Sequence, residues 1–171
     1  MKKNIHSLVY GALIAALYAG LTYLSSFFGL AYGPIQVRIS EALCILTVFS
    51  PTAVWGLTVG CLISNIASFT PLDMVFGTAA TLLAALCSYM WRNIKVKDLP
   101  LLSFFAPVIF NAVIIGAELA AFYTEGGASA VSFISGAASV AAGEIISCVV
   151  LGIPLFYAIK KNRVLSKFVK Y

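Results

Sequence analysis

Charge is scarce in this chain: of its 171 residues only 10% are Asp, Glu, Lys or Arg, and histidine occurs once, as His6. A soluble domain carries about 25% charged residues, so the polar surface needed to face water on all sides is missing. With its only histidine in the N-terminal segment, the chain has no histidine-based metal site and no buried Ser-His pair. It also has no Gly-x-x-x-x-Gly-Lys-Ser/Thr run, the loop that cradles phosphates in nucleotide-hydrolysing proteins. These absences argue against an enzyme. Cys44, Cys61, Cys87 and Cys148 fall within apolar runs and show no paired metal-ligand spacing, which reads as reduced packing residues rather than disulfides. The pI near 9.1 does not imply nucleic acid, because the basic residues form no stripe interleaved with exposed aromatics.

Apolar length is what the chain has. At 61% hydrophobic residues and a mean hydropathy of +1.01, with about 20 apolar residues needed per crossing, the pattern predicts an all-α membrane protein. One integral membrane domain over residues 1–171 is expected, with six transmembrane helices at 8–28, 37–50, 52–69, 73–91, 103–123 and 130–159. The run Leu8 to Phe28 is too long for the apolar core of a signal peptide and reads as a retained first helix. Residues 37–50 barely suffice for a crossing unless protein covers their ends. Pro51, in Ser50-Pro51-Thr52, is suited to end that segment and open the third helix.

Six spans put both termini on one face. Lys2, Lys3, Arg92, Lys95, Lys97, Lys160, Lys161, Arg163, Lys167 and Lys170 all fall there, so the positive-inside rule makes that face cytoplasmic. The expected location is a cell membrane crossed several times, in a prokaryotic plasma membrane. Trp91 suits an inner interfacial anchor, and Tyr32 and Tyr123 suit outer ones.

Arg38 is the one cation outside this pattern. It stands at the outer end of the second helix, near Gln36 and Glu41. Asn65 and Asp73 flank the outer turn between the third and fourth helices. Glu118 lies roughly 8 Å below the outer end of the fifth helix, and Glu144 roughly 24 Å above the inner boundary. The ionisable groups thus gather on the outward side, where each costs about 2.5 to 3.5 kcal/mol to bury and should pair or line a polar cavity. Asn111, two turns before Glu118, shares its face. Carboxylates and amides together suit a ligand rich in N–H donors, a flat nitrogen heterocycle or a cationic amine. Phe28, Tyr32, Phe69 and Tyr123 offer stacking surfaces or interfacial anchors. Plainer readings stay open: Arg38 and Glu41, three apart, can neutralise one another, and Asp73 can serve only the helix dipole. The small-residue stripes Ala12, Ala16, Gly20 and Gly56, Gly60, Ser64 permit close helix approach, either within the chain or against a membrane partner.

Gly33-Pro34-Ile35-Gln36-Val37-Arg38-Ile39-Ser40-Glu41-Ala42-Leu43, Asp73-Met74-Val75-Phe76-Gly77-Thr78, Phe110-Asn111-Ala112 and Gly143-Glu144 together resemble the QueT family, over almost the whole chain. Its members are substrate-binding S-components of energy-coupling factor transporters, associated with uptake of queuosine precursors. The resemblance implies a six-helix protein with an outward-facing pocket, working with a transmembrane coupling subunit and two cytoplasmic ATPases. ATP is then used by those partners, and no cofactor is expected in this chain. It implies that Ala12 and Ala16 match the Ala-x-x-x-Ala docking motif, and that Arg38, Glu41, Asn111 and Glu144 match the family's polar pattern. The long last apolar run and Gly126-Gly127 suit a mobile outer loop. Other readings are an S-component for another vitamin or heterocycle, a small proton-coupled exporter, and a structural membrane subunit.

Overall fold

The computed structural model describes residues 2–30, 36–66, 71–124 and 128–162, with side chains described from Ile5 onward. Among the described residues it holds six helical segments in chain order: Lys2–Phe27, Ile39–Val48, Thr52–Ile66, Pro71–Trp91, Leu101–Tyr123 and Ala130–Lys161. The first, fourth, fifth and sixth are long and apolar enough to cross a membrane. The protein is therefore an all-helical, multi-pass membrane protein. The fourth helix starts two residues earlier than expected, at Pro71. The described part of the third ends at Ile66, short of the expected 69.

The second segment departs most from expectation. It is a ten-residue 3-10 helix, Ile39–Val48, rather than a span over 37–50, and every residue from Ser40 to Thr47 is buried. A 3-10 helix rises about 2.0 Å per residue against 1.5 Å for an α-helix, so ten residues reach about 20 Å instead of 15 Å. That extra reach threads a short segment through the middle of the bundle. Leu43, Cys44 and Leu46 pack with Tyr10, Ile14 and Tyr18 of the first helix, Ala53, Val54, Leu57 and Cys61 of the third, Ala85 of the fourth and Ile159 of the sixth. Ile45 packs with Phe104 of the fifth helix and Phe156 of the sixth.

Polar pairs pin the helix ends. Ser7 and Thr52 hydroxyls meet at 2.7 Å at the starts of the first and third helices. Ser88 and Ser103 exchange hydroxyl-to-carbonyl bonds of 2.7 Å between the end of the fourth and the start of the fifth. Lys160, at the end of the sixth, reaches Asp98 at 4.0 Å, which brings the basic loop and the end of the last helix to one side, as the charge pattern requires.

The small-residue stripes behave differently from one another. Gly56 and Gly60 of the third helix pack against the first: a methyl group on Gly60 would sit 2.7 Å from the Ala15 carbonyl, and one on Gly56 would sit 2.8 Å from the Gly11 carbonyl. The first helix meets them with Gly11, Ile14, Ala15 and Tyr18, whereas Ala12, Ala16 and Gly20 are exposed. Gly60→Val should lower the thermal midpoint in detergent, with a cost of about 1–3 kcal/mol for overpacking. Ala16→Val should leave it nearly unchanged, and size-exclusion of heated samples reads both.

Candidate functional site

The second helix begins where the polar residues begin. Arg38 stands just before it in extended conformation (φ −104°, ψ 103°), and Glu41 lies in its first turn. Side chains at i and i+3 eclipse one another in a 3-10 helix, so Glu41 and Cys44 share a line. The Cys44 thiol donates to Glu41 Oε2 at 3.2 Å, and the Tyr18 hydroxyl of the first helix donates to Oε1. Next to this, the Thr22 hydroxyl donates to Ser40 Oγ at 2.8 Å. Glu41 is thus held by tyrosine and cysteine. Among the described residues no ion pair joins it to Arg38, so simple neutralisation of one by the other is not what the structure shows.

Across from Glu41, the sixth helix supplies Glu144. Asn111 Nδ2 of the fifth helix donates to Glu144 Oε1 at 2.8 Å. The Cys148 thiol, one turn on, lies 3.3 Å from Glu144 Oε2 and 3.4 Å from the Glu41 carbonyl, linking the Glu144 carboxylate to the backbone of the second helix. The Arg38 guanidinium lies within electrostatic reach of Glu41 and Asp73, of Glu118 and of Glu144. One cation therefore stands among four carboxylates contributed by four helices.

Gln36, Arg38, Asn111, Ile115, Val140 and Glu144 line a small pocket of about 10 Å³, room for about one water molecule. Ile115 and Val140 belong to an apolar cluster with Ala80, so the pocket has polar edges and aliphatic walls. Beside it the backbones meet: a methyl group on Gly143 would sit 1.8 Å from the Gln36 carbonyl. Only glycine lets the Gln36-Val37 backbone lie on the sixth helix beside Glu144.

Two deviations from α-helix mark the same place. Leu119–Tyr123 and Ile145–Leu151 are π-helical, and they begin directly after Glu118 and Glu144. Inserted π-turns occur frequently at functional sites. Glu118 is 2% exposed, and no described residue donates a hydrogen bond to either of its oxygens. Its polar neighbour is the Asp73 carboxyl in the first turn of the fourth helix.

The structure thus brings Gln36, Arg38, Glu41, Asp73, Asn111, Glu118 and Glu144 to one region. Asn65 sits apart in role: its Nδ2 donates to the Asp73 carbonyl at 2.9 Å and ties the third helix to the fourth. Phe28 and Tyr123 are exposed, as interfacial anchors would be. Tyr32, Phe69, the Gly33 to Ile35 part of the first motif and Gly126-Gly127 lie outside the described residues. Tyr18, Cys44 and Cys148 are participants that sequence reasoning missed, having read the cysteines as packing. Their signal was spacing, since Cys44 follows Glu41 by three and Cys148 follows Glu144 by four. Glu41, Glu144 and Cys148 present ligand atoms within 4.8 Å of one another, a geometry that can hold a metal ion. Their atoms already bond to Tyr18, Cys44, Asn111 and each other, so the cluster is satisfied without one.

A family model described as QueT transporter matches residues 8–161. The chain belongs to the QueT transporter family. A protein named Queuosine precursor transporter QueT, from Lactococcus lactis subsp. cremoris (strain MG1363), is 40% identical over 81 residues, which cover 47% of this chain and 48% of that protein. The match thus spans about half the length of that relative. No solved structure matches.

Gly143→Ala should lift the Gln36 backbone and expose the network. Labelling of Cys148 by a small membrane-permeant maleimide, read by peptide mass mapping, should rise on the order of tenfold, the effect of about 1.4 kcal/mol on a local opening. Cys61, packed against the fourth helix, is the internal reference whose rate stays constant.

Proposed function

We propose that this chain is the substrate-capture subunit of an ATP-driven importer of the energy-coupling factor type, and that it takes up a queuosine precursor, a 7-deazaguanine-type base or nucleoside. The observation that carries the reading is the Asn111–Glu144 pair in a pocket also lined by Arg38 and Gln36. Such a base presents N–H donors and carbonyl acceptors along its edges and apolar faces above and below. Carboxylates of Glu144 and Glu118 accept from N–H groups, Asn111 offers both an acceptor and a donor, and Arg38 and Gln36 donate to carbonyl or ring nitrogen. Ile115 and Val140 suit the flat faces. Glu41, Asp73 and Asn65 act one layer out, by holding Arg38 and the outer helix ends. A bicyclic base is far larger than the pocket as it stands, so capture requires its walls to part.

Energy then comes from elsewhere, because the chain has no phosphate-binding loop. A transmembrane coupling subunit docks on the exposed Ala12 and Ala16 face, and two cytoplasmic ATPases drive the inward step. Beside that face runs an open groove of about 490 Å³, lined by Ser7, Leu8, Gly11, Trp55 and Val59 among others. Small residues there allow the close helix approach that membrane association relies on.

Binding of a 7-deazaguanine to the purified chain, measured by titration calorimetry, is the first test. Glu144→Gln and Asn111→Ala should each weaken it on the order of 10-fold or more, as for a lost hydrogen bond to a charged group; unchanged affinity in both removes this pocket. Ala16→Trp should keep the affinity and abolish ATP-dependent uptake into vesicles holding the partner subunits. Uptake that runs on a pH gradient without ATP would instead indicate a proton-coupled carrier.

A further inference from the structure

We propose that the loop between the fourth and fifth helices, together with the end of the sixth, is a docking surface for the headgroups of acidic phospholipids. It lies at the other end of the bundle from Arg38 and stands independently of the transport reading.

The loop is a built hairpin. Val96 and Leu99 exchange backbone hydrogen bonds of 2.8 and 3.0 Å around a two-residue turn in which Lys97 (φ 48°) and Asp98 (φ 69°) are both left-handed. Asn-Gly adopts that turn readily, whereas Lys97 and Asp98 hold it against the steric cost of their Cβ atoms. Contacts on both sides fix it in place. Asp98 lies 4.0 Å from Lys160 at the end of the sixth helix. At the end of the fourth, the Arg92 guanidinium donates to the Tyr89 carbonyl at 2.7 Å and lies 3.8 Å over the Tyr89 ring.

What the hairpin presents is amphiphilic. Ile94 (51% exposed) and Val96 (53% exposed) alternate with Lys95 and Lys97, and all four are at the surface. Chain running into a β-bridge points successive side chains to opposite sides, so the aliphatic pair and the lysine pair separate. A loop projecting into water gains nothing from exposing two β-branched aliphatics. Trp91, from which the hairpin leaves, is a residue type that sits at headgroup level. Laid along the bilayer surface, the hairpin buries Ile94 and Val96 at the acyl boundary while Lys95 and Lys97 reach phosphates. An acidic protein surface would answer the lysines but not the aliphatics between them.

Charge then decides among headgroups. Arg92, Lys95, Lys97, Lys160 and Lys161 belong to this end, whereas Asp98 is the only acid between Asp73 and Glu118, and none follows Glu144. Such an excess of cations favours a lipid of net negative charge over a zwitterion, on the order of fivefold for each lysine near the surface.

The test reads lipid at Trp91. Trp55→Phe leaves Trp91 as the single tryptophan of the full chain, which is placed in phosphatidylcholine nanodiscs containing a minor fraction of brominated phosphatidylglycerol or, in parallel, brominated phosphatidylcholine. Quenching should show phosphatidylglycerol enriched at Trp91 on the order of fivefold or more, and the enrichment should collapse in molar salt. Adding Lys95→Gln and Lys97→Gln should cut it to about twofold or less, with the thermal midpoint unchanged. Adding Ile94→Ser and Val96→Ser instead should shift Trp91 emission to the red as the hairpin lifts from the bilayer. Equal quenching by the two lipids before the lysines are changed overturns the proposal, and so does an enrichment that survives their loss. If quenching is equal and the lysine variant instead fails to co-purify with co-expressed coupling and ATPase subunits, an acidic protein surface is the occupant and the lipid proposal falls.

Discussion

A guanidinium placed inside an apolar bundle constrains everything around it. Arg38 is half-buried at the head of the second helix, and a charge at that depth persists only where carboxylates or water are near. Here carboxylates come from four helices: Glu41 from the second, Asp73 from the fourth, Glu118 from the fifth and Glu144 from the sixth. Each of these would be costly alone. Together with Arg38 they form one polar region, and the positions of the helices that supply them follow from that need as much as from packing. The rest of the bundle is pinned by hydroxyl pairs at helix ends and by aliphatic contacts, which tolerate small shifts. The arrangement of charges does not.

The irregular helices are consequences of the same constraint. A ten-residue segment in α-form would fall short of the reach that places Arg38 at the outer level and Leu46 in the core beneath; drawn out as a 3-10 helix it covers both. The eclipsed side chains of that form also set Cys44 under Glu41, giving the carboxylate a donor from its own helix. On the opposite wall the π-segments begin one residue after Glu118 and after Glu144. A π-turn carries one residue more per turn than an α-turn and so rotates the following residues relative to the preceding face. Glu144 and Cys148, four residues apart, both meet the centre, where the Cys148 thiol touches the Glu144 carboxylate and the Glu41 carbonyl. The deviations from regular helix and the buried carboxylates thus fall at the same positions on the fifth and sixth helices.

Much of this was legible in the sequence. Apolar run length anticipated the six helical segments seen among the described residues, since that signal is set by the solvent and not by the fold. The grouping of Arg38, Glu41, Asp73, Asn111, Glu118 and Glu144 at one level of the bundle followed from counting residues along helices. The partners of Glu41 did not, because Tyr18 stands in an apolar run and nothing in its neighbourhood separates it from a core aromatic. The form of the second helix was likewise hidden: a short, mostly apolar ten-residue segment fits α and 3-10 geometry equally, and what decides is the distance to be covered. The small-residue stripes failed for a different reason. The first helix carries two, Gly11, Ala15, Ala19 and Ala12, Ala16, Gly20, displaced by a single residue. Spacing cannot choose between adjacent faces, and the chain uses the former internally.

That leaves the latter unpartnered on a helix whose other side holds the polar region. Tyr18 follows Ala16 by two residues, so it points inward where Ala16 points out, and its hydroxyl is the first helix's contact with Glu41. The third helix packs directly on the first through Gly56 and Gly60, with no space for a methyl group. In the proposed importer, a coupling subunit seated on Ala12 and Ala16 therefore meets a closely packed pair of helices. Any rotation it imposes on the first helix is carried to Glu41 through Tyr18, and from the Glu41 backbone to Glu144 through Cys148. A docking face and a charged site placed on opposite sides of one helix need no longer path between them.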